Sequence, residues 1–314
     1  MKIFFSGAST ERTESDPRLG TQKRYRLLSC HADYFKSALT MIKATGKLGV
    51  EYEWIFDSGA FTAWSKGRSV KLSELIRSYR EVLNAVEKHV GGQCWLINLD
   101  VIPGSKGNTA SAAEVEAATV ASDVNFHRLV AEFGPIVLPV YHQNESEERL
   151  QVVRQLADYI CVSPRNDMHE TARKKWSAEV HAKIPGVKTH ALAGTGFDMM
   201  SEIPWWSSDS ATWIMLAVYG CVIYPKGRSM MMLPVSRQSG STSERGKHFS
   251  TMSSFEQDAM RATFAAHGFT IEELQDDNDA RALFNRILYT KYAEEVIPGR
   301  RLTMPAPPPT LFPL

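Results

Sequence analysis

The chain has 314 residues, 43% of them apolar and 23% charged, and a formal net charge of +1 at pH 7. This composition is typical of a globular protein, and the length suits one large α/β domain or two smaller ones. The near balance of charges neither demands nor excludes a polyanionic partner, so any binding of nucleic acid must come from a local basic patch.

Short apolar runs with the character of β-strands recur along the first two thirds of the chain. Most of them are continuous rather than alternating, which is typical of parallel strands that are buried on both faces. We predict eight strands from them, at 2–6, 53–57, 94–100, 136–141, 158–163, 188–193, 204–208 and 219–224.

Helical patterns fill the gaps between these runs. Apolar residues at helical spacing predict helices over 73–89, 114–132 and 146–156, and a polar surface helix is predicted over 170–183. Eight strands alternating with helices predict an α/β fold, a (β/α)8 TIM barrel. The alternative is an open doubly wound sheet, which is disfavoured because no GxGxxG motif follows the first strand.

The chain changes character after the eighth run. Residues 226–252 are rich in Ser, Gly, Lys and Arg and predict a long basic loop. Helices are predicted again over 253–267, 271–276 and 279–296, and a polyproline-type stretch follows at 305–309. We therefore expect a barrel core over 1–225, the loop over 226–252, and C-terminal helices with a proline-rich tail over 253–314.

The four cysteines are widely separated, and no CxxC motif or Cys/His cluster occurs. The sequence therefore predicts no metal site and reduced thiols in a cytoplasmic protein. No apolar run approaches the ~18 residues of a membrane span, so we expect no membrane partner.

Three aspartates follow apolar runs at the same point of the strand pattern. Asp57 follows Trp54-Ile55-Phe56, Asp100 follows a run that ends at Leu99, and Asp209 comes shortly after Trp205-Trp206. A carboxylate beside a dry core costs several kcal/mol unless it is paired or used. The pattern predicts one shared site at the carboxyl ends of parallel strands. The alternative is that each aspartate caps a following turn or helix.

Two carboxylates that face one ligand can divide the work of a displacement. One can attack an electrophilic carbon and form an ester, while the other passes protons to the leaving and entering groups. This division suits substitution at an anomeric carbon. A third carboxylate can recognise a ligand that presents N–H donors.

Residues beside these aspartates are candidate substrate contacts. Ser58 and Gly59 follow Asp57, and Gly59 permits close approach of a ligand to the backbone. Phe61 could stack on a planar base or pack in the core. Gly194 and Gly196 either expose backbone to a ligand or form a tight turn.

Two further loops lie on the same predicted rim. His142 and Gln143 follow the fourth run, and an amide there could pair with the edge of a base or only satisfy loop backbone. Ser163 ends the fifth run, and Arg165 follows it. Lys226 and Arg228 come after the eighth run, where barrels frequently bind phosphate; the alternative is a solvated basic loop. Arg237 and Lys247 extend this basic segment.

The ordered set of motifs resembles the queuine/archaeosine tRNA-guanine transglycosylases. The family's DSGG-aromatic motif is resembled by Asp57-Ser58-Gly59-Ala60-Phe61, and its Asp-containing strand end by Asn98-Leu99-Asp100-Val101-Ile102-Pro103. Its Val-Gln-Gly segment corresponds to Val140 to Gln143, and its Met-Gly-Val-Gly turn resembles Ala193-Gly194-Thr195-Gly196. Its nucleophile segment corresponds to Trp206-Ser207-Ser208-Asp209-Ser210.

The resemblance implies a TIM barrel that exchanges guanine for a 7-deazaguanine by double displacement, without a cofactor. It implies that Asp209 is the nucleophile at C1′ and that Asp57 is the general acid and base. Carried over in the same way, the following residues contact the base: Asp100 on its Watson–Crick side, Phe61 by stacking, Gln143 or His142 at its edge, and Ser163 beside its backbone contacts.

The departures from the family's pattern point to a subgroup. The CxCxxC…His zinc motif of the tRNA enzymes is absent, and Ala60 and Ala193 replace a glycine and a methionine. These traits look more like the DNA-modifying branch found in bacteriophages and bacterial modification islands, which would act in the host cytoplasm if phage-encoded. The implied partners are DNA or, alternatively, tRNA, and a 7-deazaguanine such as preQ0. Phosphates would be held by Lys226, Arg228, Arg165, Arg237 and Lys247.

Three other functions remain open from the sequence. The first is a tRNA-guanine transglycosylase without a zinc module. The second is an N-glycoside hydrolase on a TIM barrel, with water as the acceptor. The third is an inactive barrel that binds nucleic acid.

Overall fold

The computed structural model describes residues 1–7, 9–104, 110–143, 145–165, 167–192, 194, 196–227 and 229–297. The proline-rich tail predicted at 305–309 lies outside these residues. The strands are β1 (Lys2–Phe5), β2 (Arg24–Ser29), β3 (Tyr52–Asp57), β4 (Gln93–Ile97), β5 (Val137–Leu138), β6 (Val140–His142), β7 (Tyr159–Ser163), β8 (Lys188–Ala191), β9 (Ser207–Ser210), β10 (Cys221–Lys226) and β11 (Ser229–Pro234).

Within the described ranges, nine of these strands run parallel in one sheet, in the order β5-β4-β3-β2-β1-β9-β8-β7-β6. β5 and β6 are the two halves of one extended segment, divided at Pro139, whose nitrogen has no proton to donate. Because the two ends of the sheet are consecutive in the chain, the sheet closes into an eight-stranded barrel. The predicted (β/α)8 fold class is confirmed.

The helices surround the barrel and extend beyond it. They are α1 (Glu11–Ser15), α2 (Phe35–Thr45), α3 (Ala60–Ser65), α4 (Leu72–His89), α5 (Ala112–Phe133), α6 (Glu147–Leu156), α7 (Glu170–Lys183), α8 (Phe197–Glu202), α9 (Thr212–Val218), α10 (Ser254–Ala266), α11 (Ile271–Asp276) and α12 (Asn278–Lys291). The seven predicted helices agree with α4 to α7 and α10 to α12 within two residues, except that α12 passes into a π-helical turn at Tyr292–Val296. No helix of the described chain has both the length and the apolar character that a bilayer span requires.

Side chains that point into the barrel form a layered interior. Its apolar layer contains Phe4, Leu27, Ile55, Ile97, Leu138, Val140, Tyr159 and Cys161. Because side chains alternate along a strand, the residue two positions later on four of these strands faces the same interior, nearer the carboxyl end. These residues are Ser29, Asp57, His142 and Ser163. Asp209 joins them, since it pairs in register with Phe4.

The second barrel strand, β2, lies in a segment where no strand is predicted. Arg24 and Arg26 interrupt its apolar pattern, yet they are only 7% and 0% exposed. Both guanidinium groups face the carboxylate of Glu14 on α1, at 3.6 Å and 3.5 Å. Two arginines can therefore occupy this strand because a distant acid compensates them, which the local pattern does not reveal.

The run predicted as the eighth barrel strand, 219–224, has a different partner. It forms β10, which pairs antiparallel with β11 outside the barrel, and the eighth barrel strand is β9. Val222 and Leu233 are opposite each other in this hairpin and are both buried against the C-terminal helices. The predicted strand at 219–224 is thus confirmed as a strand, but its expected place as the eighth strand of the barrel is wrong. The prediction of a continuous loop over 226–252 is also wrong, because this segment contains β11 and a 3-10 turn at Phe249–Thr251.

Candidate active site

Asp57 is the last residue of β3, at the carboxyl end of the barrel. Its Oδ2 accepts hydrogen bonds from the Ser29 hydroxyl (3.2 Å) and from the Gly59 backbone N–H (3.1 Å). Gly59 has a φ of +80°, and a Cβ there would lie 2.6 Å from the Cβ of His31. Glycine is therefore required at this position to turn the chain from β3 into α3.

We call Asp57, Asp100 and Asp209 the carboxylate cluster, and the last two act electrostatically on Asp57. The pKa of Asp57 is raised from 3.8 to about 7, first by burial and then by the negative charges of Asp100 and Asp209. These charges act on Asp57 only because the three side chains lie near one another. Asp57 can therefore hold or release a proton near neutral pH, as a general acid and base must.

The raised pKa predicts that Asp57 lowers stability at alkaline pH. Between the ordinary pKa of 3.8 and about 7, the folded chain holds a proton that the unfolded chain has released. The free energy of unfolding should therefore fall as the pH rises through this window. Asp57→Asn keeps acceptors for Ser29 and Gly59 but carries no charge. We expect the variant to be more stable than the wild type in urea unfolding at pH 8 but not at pH 4. An equal difference at both pH values would contradict the shift.

Asp209 lies within β9, where its side chain is 20% exposed. Its Oδ1 is 3.5 Å from Nε2 of His190, which is fully buried on β8. The strand begins three residues later than the predicted run at 204–208, so Asp209 is part of the strand rather than of the loop after it. A strand position fixes the carboxylate more firmly than a loop position would.

Asp100 forms a pair with His142. Nε2 of His142 is 2.9 Å from Oδ2 of Asp100, and both residues are largely buried. Burial lowers the pKa of His142, but the hydrogen bond and charge of Asp100 outweigh it, so the pKa is raised. The backbone N–H of His142 is held by the Glu145 carboxylate at 2.9 Å. The pair can thus present an acceptor and a donor to a planar base.

Phe61 and Ser58, two predicted substrate contacts that follow Asp57, differ in how accessible their side chains are to a ligand. Phe61 on α3 is 53% exposed, and its ring lies beside that of Trp64, with 5.8 Å between centroids. One aromatic face is therefore open for stacking. Ser58, in contrast, is fully buried, and its hydroxyl accepts the backbone N–H of Ala60 at 3.3 Å. Ser58 thus shapes the turn into α3.

Gln143 and Ser163 lie on adjacent strand ends. Oε1 of Gln143 accepts the backbone N–H of Arg165 at 2.8 Å, and the Gln143 N–H donates to the Ser163 carbonyl at 3.1 Å. Gln143 therefore satisfies loop backbone, which is the structural one of its two predicted roles. The Ser163 side chain faces the barrel interior, in register with His142.

Packing explains both glycines after β8. A Cβ at Gly194 would lie 2.7 Å from the Cβ of Ala191, and one at Gly196 would lie 2.6 Å from a carboxylate oxygen of Glu170. Thr195 between them lies outside the described residues. Glycine is thus needed at both positions because neighbouring side chains leave no room for a Cβ. This agrees with the interpretation of Gly194 and Gly196 as part of a tight turn.

Most predicted phosphate contacts already have a carboxylate partner. The pairs are Arg165 with Asp167 (2.5 Å), Arg237 with Asp276 (2.5 Å) and Lys247 with Glu244 (2.7 Å). Exposed pairs of this kind are worth about 0–1 kcal/mol, so a phosphate could replace the carboxylate at small cost.

Lys226 ends β10, opposite Ser229 in the hairpin. The predicted eighth run is not a barrel strand, so the expectation that Lys226 follows the eighth strand of the barrel is wrong. Arg228 lies outside the described residues.

Sequence reasoning missed two polar side chains of this site, Ser29 and His190. Ser29 lies on β2, a strand that was not predicted. His190 lies within a predicted strand, and its imidazole is fully buried. A histidine inside an apolar run was the available signal. Among the described residues, no group of three or more His, Cys, Asp or Glu side chains is arranged to hold a metal ion.

The chain matches no protein-family model and no curated protein. Among solved structures it is similar to a mutant of morphinone reductase in complex with tetrahydroNAD, with 10% identity and a TM-score of 0.33 over 68% of this chain and 74% of that chain. A likeness this remote carries nothing about the reaction. The fold class rests on the strand order, and the function must be inferred from the carboxylate cluster and its surroundings.

Proposed function

We propose that this protein is a DNA-guanine transglycosylase, which exchanges guanine in DNA for a 7-deazaguanine base. The observation that carries the proposal is Asp57, whose pKa of about 7 lets it move protons beside the charged carboxylates of Asp209 and Asp100. Such a pair of groups with separated roles suits double displacement at an anomeric carbon. The resemblance of the motifs to those of the transglycosylases favours guanine and a 7-deazaguanine as the two bases.

The first displacement removes guanine. The target nucleotide is flipped out of its stack into the barrel mouth, at a cost of a few kcal/mol. Oδ2 of Asp209 attacks C1′, the C1′–N9 bond breaks, and its electron pair goes to the guanine, which takes a proton from Asp57. The product is a deoxyribosyl ester of Asp209, and Asp57 is left as a carboxylate.

The second displacement installs the new base. The deazaguanine enters the same pocket and gives its N9 proton to Asp57, while N9 attacks C1′ and the ester bond to Asp209 breaks. Both carboxyl groups return to their starting state. One N-glycosidic bond replaces another, so the exchange is nearly balanced in energy and needs no external source of it.

The remaining groups suit recognition of the base. The Asp100–His142 pair, 2.9 Å apart, can meet the donors and acceptors on the Watson–Crick side. The exposed face of Phe61 can stack on the ring system. DNA is favoured over tRNA because the departures from the tRNA family resemble its DNA-modifying branch.

Labelled guanine tests the proposal without knowledge of the natural deazaguanine. Since guanine can replace guanine, we expect radiolabel to enter duplex DNA when the protein is incubated with [¹⁴C]guanine, and not tRNA. Incorporation into tRNA alone would overturn the choice of DNA. Release of free guanine from DNA without incorporation would identify a hydrolase, and the absence of both would overturn glycosyl transfer.

A further inference from the structure

A chain of polar side chains runs through the barrel interior below Asp209. The Tyr159 hydroxyl is 2.5 Å from the Ser207 hydroxyl, which is 2.7 Å from Nδ1 of His190. Nε2 of His190 is in turn 3.5 Å from Oδ1 of Asp209. His190 and Ser207 are fully buried and Tyr159 is 4% exposed, so water does not compete for these contacts. The chain spans three neighbouring barrel strands, β7, β8 and β9.

The hydroxyl contacts allow either direction of donation, and the position of Asp209 favours one of the two. Burial raises the pKa of Tyr159, which keeps the phenol protonated and able to donate to Ser207. The Ser207 hydroxyl can then donate to Nδ1 of His190, so the imidazole proton is on Nε2, facing Asp209. The opposite tautomer would place a lone pair against the carboxylate. Nε2 is buried and makes no hydrogen bond to any residue that the structure describes, and Oδ1 of Asp209 is 3.5 Å away.

We propose that His190 is a positioning residue for Asp209, held in its tautomer by Ser207 and Tyr159. This inference rests on the proposed function. In the complex with a nucleotide, the Nε2–H group donates to Oδ1 of Asp209 from within the barrel, a contact that is 3.5 Å long in this structure. This leaves Oδ2 free to face C1′ of the nucleotide. The ring itself is fixed by edge contacts with Phe4 and Tyr159, at centroid distances of 5.8 Å and 6.4 Å.

The same N–H group has a second effect when the new base enters. As the bond between C1′ and Oδ2 breaks, its electron pair returns to the carboxylate, and negative charge grows on both oxygens. A buried donor that is already 3.5 Å from Oδ1 stabilises this charge after only a small shift of either side chain. His190 should therefore matter for orientation in the first displacement and for release of the carboxylate in the second.

The test compares His190→Ala with His190→Gln in guanine exchange. Loss of one preorganised donor typically costs a factor of about 100 in rate. We expect His190→Ala to lower kcat about 100-fold, to leave KM for guanine nearly unchanged, and to raise the steady-state fraction of protein carrying the covalent DNA adduct. His190→Gln retains an N–H donor and should recover about tenfold of the lost rate. Added imidazole should partly restore His190→Ala.

Two further variants keep the test informative if His190→Ala is poorly folded. Ser207→Ala removes the acceptor and donor that fix the tautomer, and we expect a loss of several-fold in kcat. Cys161→Ala is the packing control, since Cys161 is equally buried in the same layer. It should keep kcat within about twofold.

The outcomes separate this inference from the proposed function. A wild-type protein that exchanges no guanine overturns the function and the role of His190 with it. An active wild type whose His190→Ala variant keeps kcat within threefold overturns the role of His190 alone. So does a His190→Gln variant that is as stable as the wild type but as slow as His190→Ala.

Discussion

Asp209→Asn should abolish base exchange and covalent adduct formation while leaving the protein folded. Asparagine keeps the size of the side chain and an oxygen that can face His190, but its amide cannot form the ester with C1′. Removal of a nucleophile in enzymes with covalent intermediates lowers kcat by roughly 10⁴- to 10⁶-fold. We expect a loss of at least about 10⁴-fold, measured as incorporation of labelled guanine into DNA. Denaturing electrophoresis of protein with DNA should show the adduct only for the wild type.

The matched control is Asp158→Asn. Asp158 precedes β7, at the amino end of a barrel strand, opposite to the end that holds the carboxylate cluster. Its side chain is exposed, so this substitution should keep exchange within about twofold. If Asp209→Asn still exchanges guanine at the rate of Asp158→Asn, then Asp209 is not the nucleophile. Adduct formation with Asp209→Asn would lead to the same conclusion.

Glu14→Gln should be the most destabilising single polar substitution among those considered. The Glu14 side chain is 1% exposed, and its Oε1 accepts a hydrogen bond from Nη1 of Arg286 at 2.6 Å. Arg26 and Arg24 lie at 3.5 Å and 3.6 Å from the same carboxylate. Burial by itself would raise the pKa of Glu14, but the charges of Arg286 and Arg26 hold it well below the usual range. One carboxylate thus lies within 3.6 Å of three buried guanidinium groups.

Removing that charge leaves the arginines unpaired in a dry environment. Breaking a buried ion pair from one side costs about 3–5 kcal/mol, which is a large part of the ~5–15 kcal/mol that keeps a domain folded. We expect this loss in the free energy of unfolding, measured by urea denaturation. Glu244→Gln, which breaks the exposed pair with Lys247, is the matched control and should change stability by less than about 1 kcal/mol. Equal effects of the two substitutions would show that the buried cluster contributes little.

The elements with a clean local signal could be predicted from the sequence. The helices from 73 to 183 and the apolar strands at 53–57 and 158–163 match the structure closely. The carboxylate cluster could also be predicted. Each of the three aspartates follows an apolar run, and a carboxylate beside a dry core lowers stability unless it has a partner or a function. These features depend on neighbours in sequence and on alternation, which a single chain displays directly.

The elements that depend on distant partners could not be predicted. β2 is charged along its outer face, and it is a strand only because Glu14 compensates Arg24 and Arg26 there. The run at 219–224 is as apolar as a barrel strand. Its antiparallel pairing is determined by β11, whose four apolar residues follow a basic turn.

The remaining part of the site could not be predicted because the strand that carries it has polar side chains facing the barrel interior. β9 consists of Ser207, Ser208, Asp209 and Ser210, a composition that is typical of a loop. It is stable as a strand because its inward hydroxyl and carboxyl groups have partners on β7 and β8. Strand propensity is strongly dependent on such surroundings, so local composition misplaced the strand by three residues.

The contact between Glu14 and Arg286 joins residues that are 272 positions apart. At a synthesis rate of about 5–20 residues per second, α12 leaves the ribosome roughly 15–55 s after α1. The first strand lacks its neighbour until β9 emerges, and Glu14 lacks one of its counter-ions until α12 emerges. The buried ion cluster is therefore completed only after the last barrel strand has been made, and nascent chains stalled before α12 should be readily digested by protease.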